Sequence, residues 1–232
     1  RRGKPPQFFD KWLLPTYDIF DEGRHLRPSE KANRRTFALK GFRLLLTICE
    51  DIWAWPTLPS GRRYKQNPLQ HYNNERPDLV INMSASPYYV GKAELRHKAV
   101  HETARHFRAP MVYVNMASCQ DEVIFDGRSF AVAPNGKPFL NCRHCEEDFT
   151  YFDVNEKLSA PRSPQNSDPT EELRQALIFG IRDFARKTRL THLHFGLSGG
   201  IDSALVACLA CDALGPRQVT GIRLPGPFTT PA

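Results

Sequence analysis

The chain has 232 residues, of which 41% are hydrophobic and 25% are charged, and a formal net charge of +7 at pH 7. This composition is typical of a globular protein with one large domain or two modest ones. No apolar run approaches the ~20 residues of a membrane-spanning helix, and no apolar signal-peptide core follows the first residues. The six cysteines are too few for a disulfide scaffold in a chain of this length. We therefore expect a cytoplasmic protein with reduced cysteines and no membrane partner.

The positive charge fits two interpretations, a nucleic-acid-binding surface or a basic surface with sites for anionic nucleotides. The 32 lysines and arginines are scattered along the chain. They are not interleaved with aromatic residues in a stripe, as a nucleic-acid surface would require. We therefore expect no nucleic-acid partner.

Apolar and amphipathic patterns predict a mixed α/β domain in the first part of the chain. Near-continuous apolar runs predict buried strands at residues 42–48, 78–84 and 111–115. A helix is predicted over residues 91–108, with Leu95, Ala99 and Ala104 near helical spacing.

Hairpin and strand signals follow the third predicted strand. Asn135-Gly136 predicts a turn between strands at residues 128–133 and 139–142. Residues 149–154 alternate in polarity and predict one more strand. Strand, helix, strand and hairpin in this order indicate one mixed domain that ends near residue 158.

A segment rich in proline and serine predicts a linker at residues 159–169, between domains at 1–158 and 170–232. The next helix is predicted to begin with Asp168 as its cap, Pro169 at the first helical position and Glu171 three residues past the cap. Its predicted apolar face consists of Leu173, Leu177, Ile181 and Phe184.

The end of the chain reads as a strand, a helix and a second strand. The predicted ranges are residues 191–197, 202–214 and 218–224. Such a unit requires the two strands to be parallel and neighbouring in one sheet.

A glycine-rich loop joins the strand and the helix of this unit. Its residues are Gly196, Leu197, Ser198, Gly199, Gly200, Ile201, Asp202 and Ser203. Glycine lets backbone N–H groups approach phosphate oxygens, and the N-terminus of the helix faces the anion. Ser-Gly-Gly-x-Asp-Ser is typical of enzymes that cleave ATP between its α and β phosphates. The loop predicts an ATP site, with Asp202 as a candidate Mg²⁺ ligand, and an ordinary strand–helix turn is the alternative.

A cysteine directly follows the first buried strand. Cys49 stands at the carboxyl end of that strand, where α/β proteins usually place their ligand sites. Glu50 and Asp51 would raise the pKa of its thiol, so a nucleophilic role needs a base and a cation from elsewhere. Lys11 is the candidate cation, because an ammonium stabilises the oxyanion formed when a thiolate attacks an amide. A buried structural cysteine is the alternative.

Four sequence blocks resemble, in order, the motifs of the nitrilase superfamily. They begin at Lys11, Cys49, Asn82 and Gln120 and read Lys-Trp-Leu-Leu-Pro, Cys-Glu-Asp-Ile-Trp, Asn-Met-Ser-Ala-Ser-Pro and Gln-Asp-Glu. With the linker and the glycine-rich loop behind them, this order resembles the glutamine-dependent NAD synthetases along nearly the whole chain. The resemblance implies a partial nitrilase-like α-β-β-α sandwich, followed by the start of a Rossmann-like parallel α/β ATP pyrophosphatase domain.

For the first domain, the resemblance implies hydrolysis of glutamine through a thioester on Cys49, with release of ammonia. Lys11 would stabilise the tetrahedral intermediate, and Glu22 would orient Lys11. The general base of the family is a glutamate upstream of the lysine motif, and no residue of this chain is assigned to it. The positions that match the family's glutamine contacts are Tyr17, Ser86 and Lys92.

For the second domain, the resemblance implies that ATP and Mg²⁺ adenylylate nicotinic acid adenine dinucleotide. Ammonia would then displace AMP to give NAD, in a full-length protein that is a homo-oligomer. The chain departs from the family at Pro225-Gly226, where members usually have Pro-Ser. It also lacks an initial Met and ends soon after a predicted strand. We therefore expect a fragment cut at both ends, with little or no activity by itself.

Three other interpretations stand beside this one. Cys-x-x-Cys pairs at residues 142–145 and 208–211 suggest a zinc site, but their separation and the predicted helix around the second pair lead us to expect no structural zinc. Another ATP pyrophosphatase, such as a GMP synthetase-like or tRNA-modifying enzyme, is disfavoured by the nitrilase-like first part. A non-catalytic basic binding module would show weak, salt-dependent binding to nucleic acid without ATP binding.

Overall fold

The computed structural model describes residues 6–29, 35–154 and 168–226. The first 154 residues are built around a six-stranded sheet with the strand order β1-β2-β3-β4-β7-β8. In chain order the elements are α1 (Glu22–His25), β1 (Thr36–Leu39), β2 (Phe42–Ile48), β3 (Leu79–Ser84), α2 (Lys92–Phe107), β4 (Met111–Asn115), β5 (Ala117–Gln120), β6 (Val123–Asp126), β7 (Phe130–Val132) and β8 (Pro138–Asn141).

The centre of the sheet is parallel. Strand β2 pairs with β3, and β3 with β4, in parallel register, whereas β1, β7 and β8 run antiparallel to their neighbours. Leu45, Val80 and Met111 are fully buried because they share one core with α2 and with the aromatic residues that follow β2. The three buried strands and the amphipathic helix predicted from the sequence are confirmed.

Two hairpins complete this part, and the sequence predicted one of them. Strands β7 and β8 pair around Gly136, whose φ of 80° is in the left-handed region that glycine adopts easily. Strands β5 and β6 form a separate pair around a turn at Asp121, which takes a φ of 48°. Asp is one of the few residues other than glycine that tolerate this conformation, so the turn lacks the glycine signal that marks the first hairpin.

The strand predicted over residues 149–154 is wrong. These residues form no strand, and Phe149 and Tyr151 are each 88% exposed. Alternating polarity predicts which way side chains point only if a neighbouring strand supplies backbone partners. Among the described residues, no strand pairs with this segment.

Most of the predicted linker, residues 159–167, lies outside the described residues. Helix α3 (Pro169–Thr188) begins as predicted, with the Asp168 carboxylate accepting a 3.0 Å hydrogen bond from the backbone N–H of Thr170. Glu171 does not reach back to the cap but accepts a 2.7 Å hydrogen bond from Arg174. The last residue of the predicted linker range, Pro169, is therefore helical.

Helix α3 buries a different face from the one predicted. Leu177 and Phe184 remain 38% and 53% exposed, whereas Ala176, Ile178 and Ala185 are buried. The helix contacts β5 and β6 as well as the next helix, so its burial is divided among several directions. A single apolar stripe predicts burial correctly only when one surface faces the helix.

The end of the described chain is the predicted βαβ unit. It consists of β9 (Leu193–Gly196), α4 (Ile201–Leu214) and β10 (Val219–Ile222), with β9 and β10 parallel. The register pairs Gly196 with Ile222, so both strands end at the same edge. The glycine-rich loop leaves the sheet at this edge, as the sequence predicted.

Polar contacts join α3 to the first part of the chain. The Asp183 carboxylate accepts a 2.7 Å hydrogen bond from the backbone N–H of Cys119, and Arg128 pairs with Glu172 at 2.6 Å. Burial raises the pKa of Asp183. Hydrogen bonds from Lys187, Arg186 and the Cys119 backbone outweigh this effect and hold the pKa at about 2. No helix among the described residues is long and apolar enough to cross a bilayer.

Candidate active site and nucleotide loop

Cys49 stands in a tight turn at the carboxyl end of β2. It opens the short helix Cys49–Ile52 with a φ of 43°, a conformation uncommon for a residue with a Cβ. Burial raises the pKa of the Cys49 thiol, the Lys11 ammonium lowers it, and the Glu50 carboxylate raises it further. The predicted effect of Glu50 on the thiol is confirmed. Asp51 acts elsewhere, since its carboxylate is paired with Arg35.

The Glu22 carboxylate holds Lys11, whose charge acts on the Cys49 thiol. Lys11 Nζ lies 2.6 and 2.7 Å from the two carboxylate oxygens of Glu22. Both side chains are mostly buried, with exposed fractions of 15% and 26%. The ammonium therefore has a fixed direction, which an oxyanion-stabilising role requires.

Asp51 ties the lysine segment to the cysteine turn. Its Oδ1 accepts hydrogen bonds of 2.9 Å from the backbone N–H groups of Trp12 and Leu13. Its Oδ2 accepts from the backbone N–H of Ile48, at 3.1 Å, and from the Arg35 guanidinium. Asp51 is fully buried, so these bonds fix one chain segment against the other.

A cavity of about 460 Å³ opens beside the cysteine. The cysteine and the three predicted glutamine contacts all line it, although they come from four separate segments. Lys11 and Glu22 are not among the lining residues, and Lys11 acts on the thiol through its charge. The four predicted residues on the wall are Tyr17, Cys49, Ser86 and Lys92.

Glu50 is a wall residue whose part in this cavity the sequence did not reveal. Its carboxylate accepts a 2.7 Å hydrogen bond from the Tyr17 hydroxyl and another from the Tyr64 hydroxyl. Arg63 lies over the Tyr17 ring, 3.9 Å from its centre. The place of Glu50 beside Cys49 was the available signal, whereas Arg63 lines the cavity from the end of a short helix, Pro59–Arg63, that carries no motif.

Lys92 places a partly buried cation in the lining of the cavity. Its Nζ lies 4.1 Å from the ring centre of Trp53 and 5.0 Å from that of Tyr89. Burial, together with the positive charge of Arg96, lowers the pKa of Lys92 to about 8. No carboxylate in the described parts of the chain forms an ion pair with Lys92, so its charge remains available to a ligand.

The glycine-rich loop has the geometry of an anion-binding turn. Gly199 has a φ of 87°, and Gly200 directly precedes α4. The Ser198 hydroxyl accepts a hydrogen bond from the backbone N–H of Gly200 at 3.3 Å and lies 3.2 Å from the Ser203 hydroxyl. Asp202 is exposed in the first turn of the helix. Exposed N–H groups, hydroxyls and a helix N-terminus therefore meet at one point.

The cysteines outside the candidate site are free thiols. Cys208 is exposed on α4 and Cys119 is buried between β5 and α3. Among the described residues, no three His, Cys, Asp or Glu side chains are grouped as metal ligands would be.

The fold and the two sites define the class of the protein. It is an α/β protein whose first part holds a cavity lined by Cys49 and Lys92. Helix α3 joins this part to a βαβ unit with a glycine-rich loop of the kind that binds phosphate. A family model for NAD synthase matches residues 173–232. The chain is also 39% identical to the glutamine-dependent NAD(+) synthetase of Synechocystis over 99% of its length, and 32% identical to that of Thermotoga maritima over 96%.

A solved structure agrees with the sequence comparisons. The glutamine-dependent NAD(+) synthetase of Acinetobacter baumannii, determined in complex with ADP, superposes with a TM-score of 0.78 at 31% identity over 96% of this chain. The chain covers 40% of that structure and 41% and 43% of the two relatives, or about two-fifths of their length. It is thus homologous to the glutamine-dependent NAD(+) synthetases along nearly all of its own residues, and the resemblance read from its motifs is confirmed.

Proposed function

We propose that this chain provides the glutaminase site and the nucleotide loop of a glutamine-hydrolysing NAD synthetase. One observation carries the proposal. A single cavity brings together the thiol of Cys49 and the side chains of Tyr17, Ser86 and Lys92, which are the positions expected from the family resemblance. The homology over 99% of the chain supports the same assignment.

The cavity suits glutamine because its lining offers side chains of opposite charge. The Lys92 ammonium would bind the α-carboxylate of glutamine, and the buried Glu50 carboxylate would bind its α-ammonium. The side-chain amide would then reach Cys49. A ligand that carried only positive or only negative charge would leave the charge of Lys92 or of Glu50 without an opposite charge on the ligand, which is costly in a buried site.

Cys49 would attack the amide carbon of glutamine and form a tetrahedral intermediate. The Lys11 ammonium, fixed by Glu22 at 2.6 Å, would stabilise the negative oxygen. A general base would carry the thiol proton to the departing nitrogen, so that ammonia leaves and a thioester remains. Water would hydrolyse the thioester to glutamate and regenerate the thiol.

The loop from Gly196 to Ser203 would bind the phosphates of ATP. The backbone N–H groups near Gly199 and Gly200 and the N-terminus of α4 would face the phosphate oxygens. The enzyme would transfer the adenylyl group of ATP to nicotinic acid adenine dinucleotide, releasing pyrophosphate. Ammonia would then displace AMP to give NAD.

The residues of the loop fit a magnesium ion bound together with ATP. Asp202 offers one exposed carboxylate beside the hydroxyls of Ser198 and Ser203. Mg²⁺ usually keeps several waters and takes one or two carboxylates plus substrate phosphates. Asp202 would hold the ion, which when bound would neutralise phosphate charge.

The wider setting of the enzyme is also part of the proposal. The proposed domains are residues 1–158 and 170–232, joined by the segment 159–169, with α3, which begins at Pro169, opening the second domain. The six free thiols fit a reducing compartment, the cytoplasm. The full-length enzyme would be a homo-oligomer, which sedimentation would test.

The experiment uses the full-length enzyme with ATP, Mg²⁺ and nicotinic acid adenine dinucleotide, and compares glutamine with free ammonia as the nitrogen donor. We expect Cys49→Ala to make NAD from ammonia and not from glutamine. Cys208→Ala, at an exposed cysteine on α4, is the control and should retain both activities. If the wild type makes no NAD from ammonia, the synthetase assignment is wrong.

A further inference from the structure

A fully buried arginine holds the loop that carries Ser86. The Arg96 guanidinium donates to the Ser86 hydroxyl at 3.2 Å, to the Ser86 carbonyl at 2.7 Å and to the Pro87 carbonyl at 3.0 Å. Ser86 and Pro87 line the cavity beside Cys49, whereas Arg96 does not. Arg96 thus shapes the cavity from behind its wall.

Asp126 in turn holds Arg96 through one of its two carboxylate oxygens. Asp126 Oδ1 accepts a 2.7 Å hydrogen bond from Arg96, and Oδ2 lies 3.5 Å from His144 Nδ1. Asp126 Oδ2 and His144 Nδ1 are both buried, and neither has a hydrogen-bond partner among the described residues. Burial raises the pKa of Asp126, but His144 and Arg96 together hold it below its usual range. A carboxylate oxygen only accepts hydrogen bonds, so Asp126 attracts Nδ1 when that nitrogen carries a hydrogen.

The other ring nitrogen of His144 reaches the start of α3. His144 Nε2 lies 3.3 Å from the backbone carbonyl of Glu172 and 3.3 Å from the Cys145 sulfur. Glu172 is also the residue that pairs with Arg128 at 2.6 Å. When both ring nitrogens carry a hydrogen, a chain of polar contacts therefore runs from Ser86 through Arg96, Asp126 and His144 to the first turn of α3.

We propose that His144 is a positioning residue for glutamine binding, which acts on the Ser86 loop through Asp126 and Arg96 and ties that loop to the start of α3. This inference rests on the proposed function, because it takes the cavity beside Cys49 to be the glutamine site. His144 touches no wall atom of the cavity through its own ring. Its effect is therefore on the affinity for glutamine and not on the chemistry at Cys49.

Three substitutions in the full-length enzyme separate the two sides of the ring. In His144→Asn, the side-chain amide nitrogen takes the place of Nδ1 and can still donate to Asp126. In His144→Gln, the amide nitrogen lies near the place of Nε2 and can donate to the Glu172 carbonyl, but the bond to Asp126 is lost. His144→Ala removes both contacts. His106→Ala, at an exposed histidine on the helix that carries Arg96, is the control.

We expect His144→Ala and His144→Gln to raise KM for glutamine about three- to tenfold, the effect of losing one hydrogen bond of ordinary strength. Their kcat, and NAD formation from ammonia, should stay within about twofold of the wild type. His144→Asn should restore KM to nearly the wild-type value. A merely structural role would instead lower both activities together and would not distinguish Asn from Gln.

Two results would overturn the inference. One is an unchanged KM in His144→Ala, and the other is equal behaviour of the Asn and Gln variants. The wild-type arm tests the proposed function separately, since an enzyme that forms no NAD from glutamine would contradict that function whatever His144 does. If His144→Ala does not fold, the comparison of Asn with Gln decides the question.

Discussion

Asp51 and Leu13 are 38 positions apart in the chain and are joined by a 2.9 Å hydrogen bond from the backbone N–H of Leu13 to the Asp51 carboxylate. Through this bond and its neighbours, the segment with Lys11 is fixed against the turn with Cys49. The ion pair of Asp51 with Arg35 neutralises a charge that would otherwise be buried alone. The relative position of Lys11 and Cys49 thus depends on a carboxylate that does not line the cavity.

Removal of this carboxylate should destabilise the protein strongly. We expect Asp51→Ala to lower the free energy of unfolding by about 3–5 kcal/mol, because it leaves the buried Arg35 guanidinium without its partner. The measurement is urea denaturation of the wild type, both single variants and the double variant with Arg35→Met. Adding Arg35→Met should cost less in Asp51→Ala than in the wild type. Additive losses would show that the two side chains do not depend on each other.

The charge on Lys11 should matter for glutamine and not for ammonia. We expect Lys11→Met to lower kcat for glutamine by about 10²–10³-fold, the size of effect seen when an oxyanion-stabilising group is removed. Glu22→Gln should lower it by about tenfold or more, since one hydrogen bond to the charged ammonium is lost. NAD formation from ammonia should be unchanged in both variants.

A neighbouring carboxylate provides the matched control for Glu22. Asp21 pairs with Arg24 at 3.2 Å, and both side chains are more than half exposed. Asp21→Asn should therefore leave glutamine-dependent NAD formation unchanged. An equal loss in Asp21→Asn and Glu22→Gln would show that the contact with Lys11 is not the cause.

Glutamine binding should weaken in mild alkali. Burial lowers the pKa of Lys92 to about 8, so Lys92 is charged below that pH and loses its charge as the pH rises through it. Because the proposed partner is the substrate carboxylate, kcat/KM for glutamine should fall relative to Lys92→Arg above pH 8. Comparison at each pH cancels the titration of Cys49, which both enzymes share.

The control for this profile is on the same helix. Lys98 is exposed on α2, and Lys98→Arg should leave the profile unchanged. If wild type and Lys92→Arg give the same profile between pH 7 and 10, Lys92 does not bind the carboxylate in its charged form.

A Cβ at Gly199 should strain the glycine-rich loop. Gly199 has a φ of 87° and no atom within 4 Å of an added Cβ, so Gly199→Ala is opposed by backbone strain alone. We expect a loss of about 1–2 kcal/mol in stability, together with a higher KM for ATP measured with ammonia as donor.

The other end of α4 offers a matched glycine. Gly215 has a φ of 92° and is equally free of neighbours. Gly215→Ala should cost similar stability without changing KM for ATP. Equal effects on ATP in the two variants would contradict a role of the loop in nucleotide binding.

Much of the fold could be predicted because local patterns and burial agree. The apolar runs of β2, β3 and β4 form the parallel centre of the sheet and bury one of its faces, although Met83 and Val114 on the other face are 47% and 44% exposed. The turn at Asn135-Gly136 and the Asp168 cap depend on local backbone conformation and were also predicted. Residues 149–154 show the limit, since alternation cannot supply a partner strand.

The candidate site was only partly predictable for the same reason. Cys49, Lys11 and the loop from Gly196 to Ser203 belong to short motifs whose spacing the sequence displays directly. The part of Glu50 in the wall depends on two tyrosine hydroxyls that reach it from positions 33 and 14 residues away in the chain. No periodicity records such contacts, because they form only when separate segments pack together.

The sequence by itself determined the central strands, helix α2, the β7–β8 hairpin and the βαβ unit, and it displayed the candidate nucleophile, the candidate cation and the glycine-rich loop, because each depends on residue type and short spacing. The tertiary structure alone decided which face of α3 is buried, how Asp51 links two distant segments, and how His144 reaches both Asp126 and Glu172. The physical reason is that burial and polar pairing depend on what surrounds a side chain in three dimensions. Those neighbours come from parts of the chain that local sequence patterns do not connect.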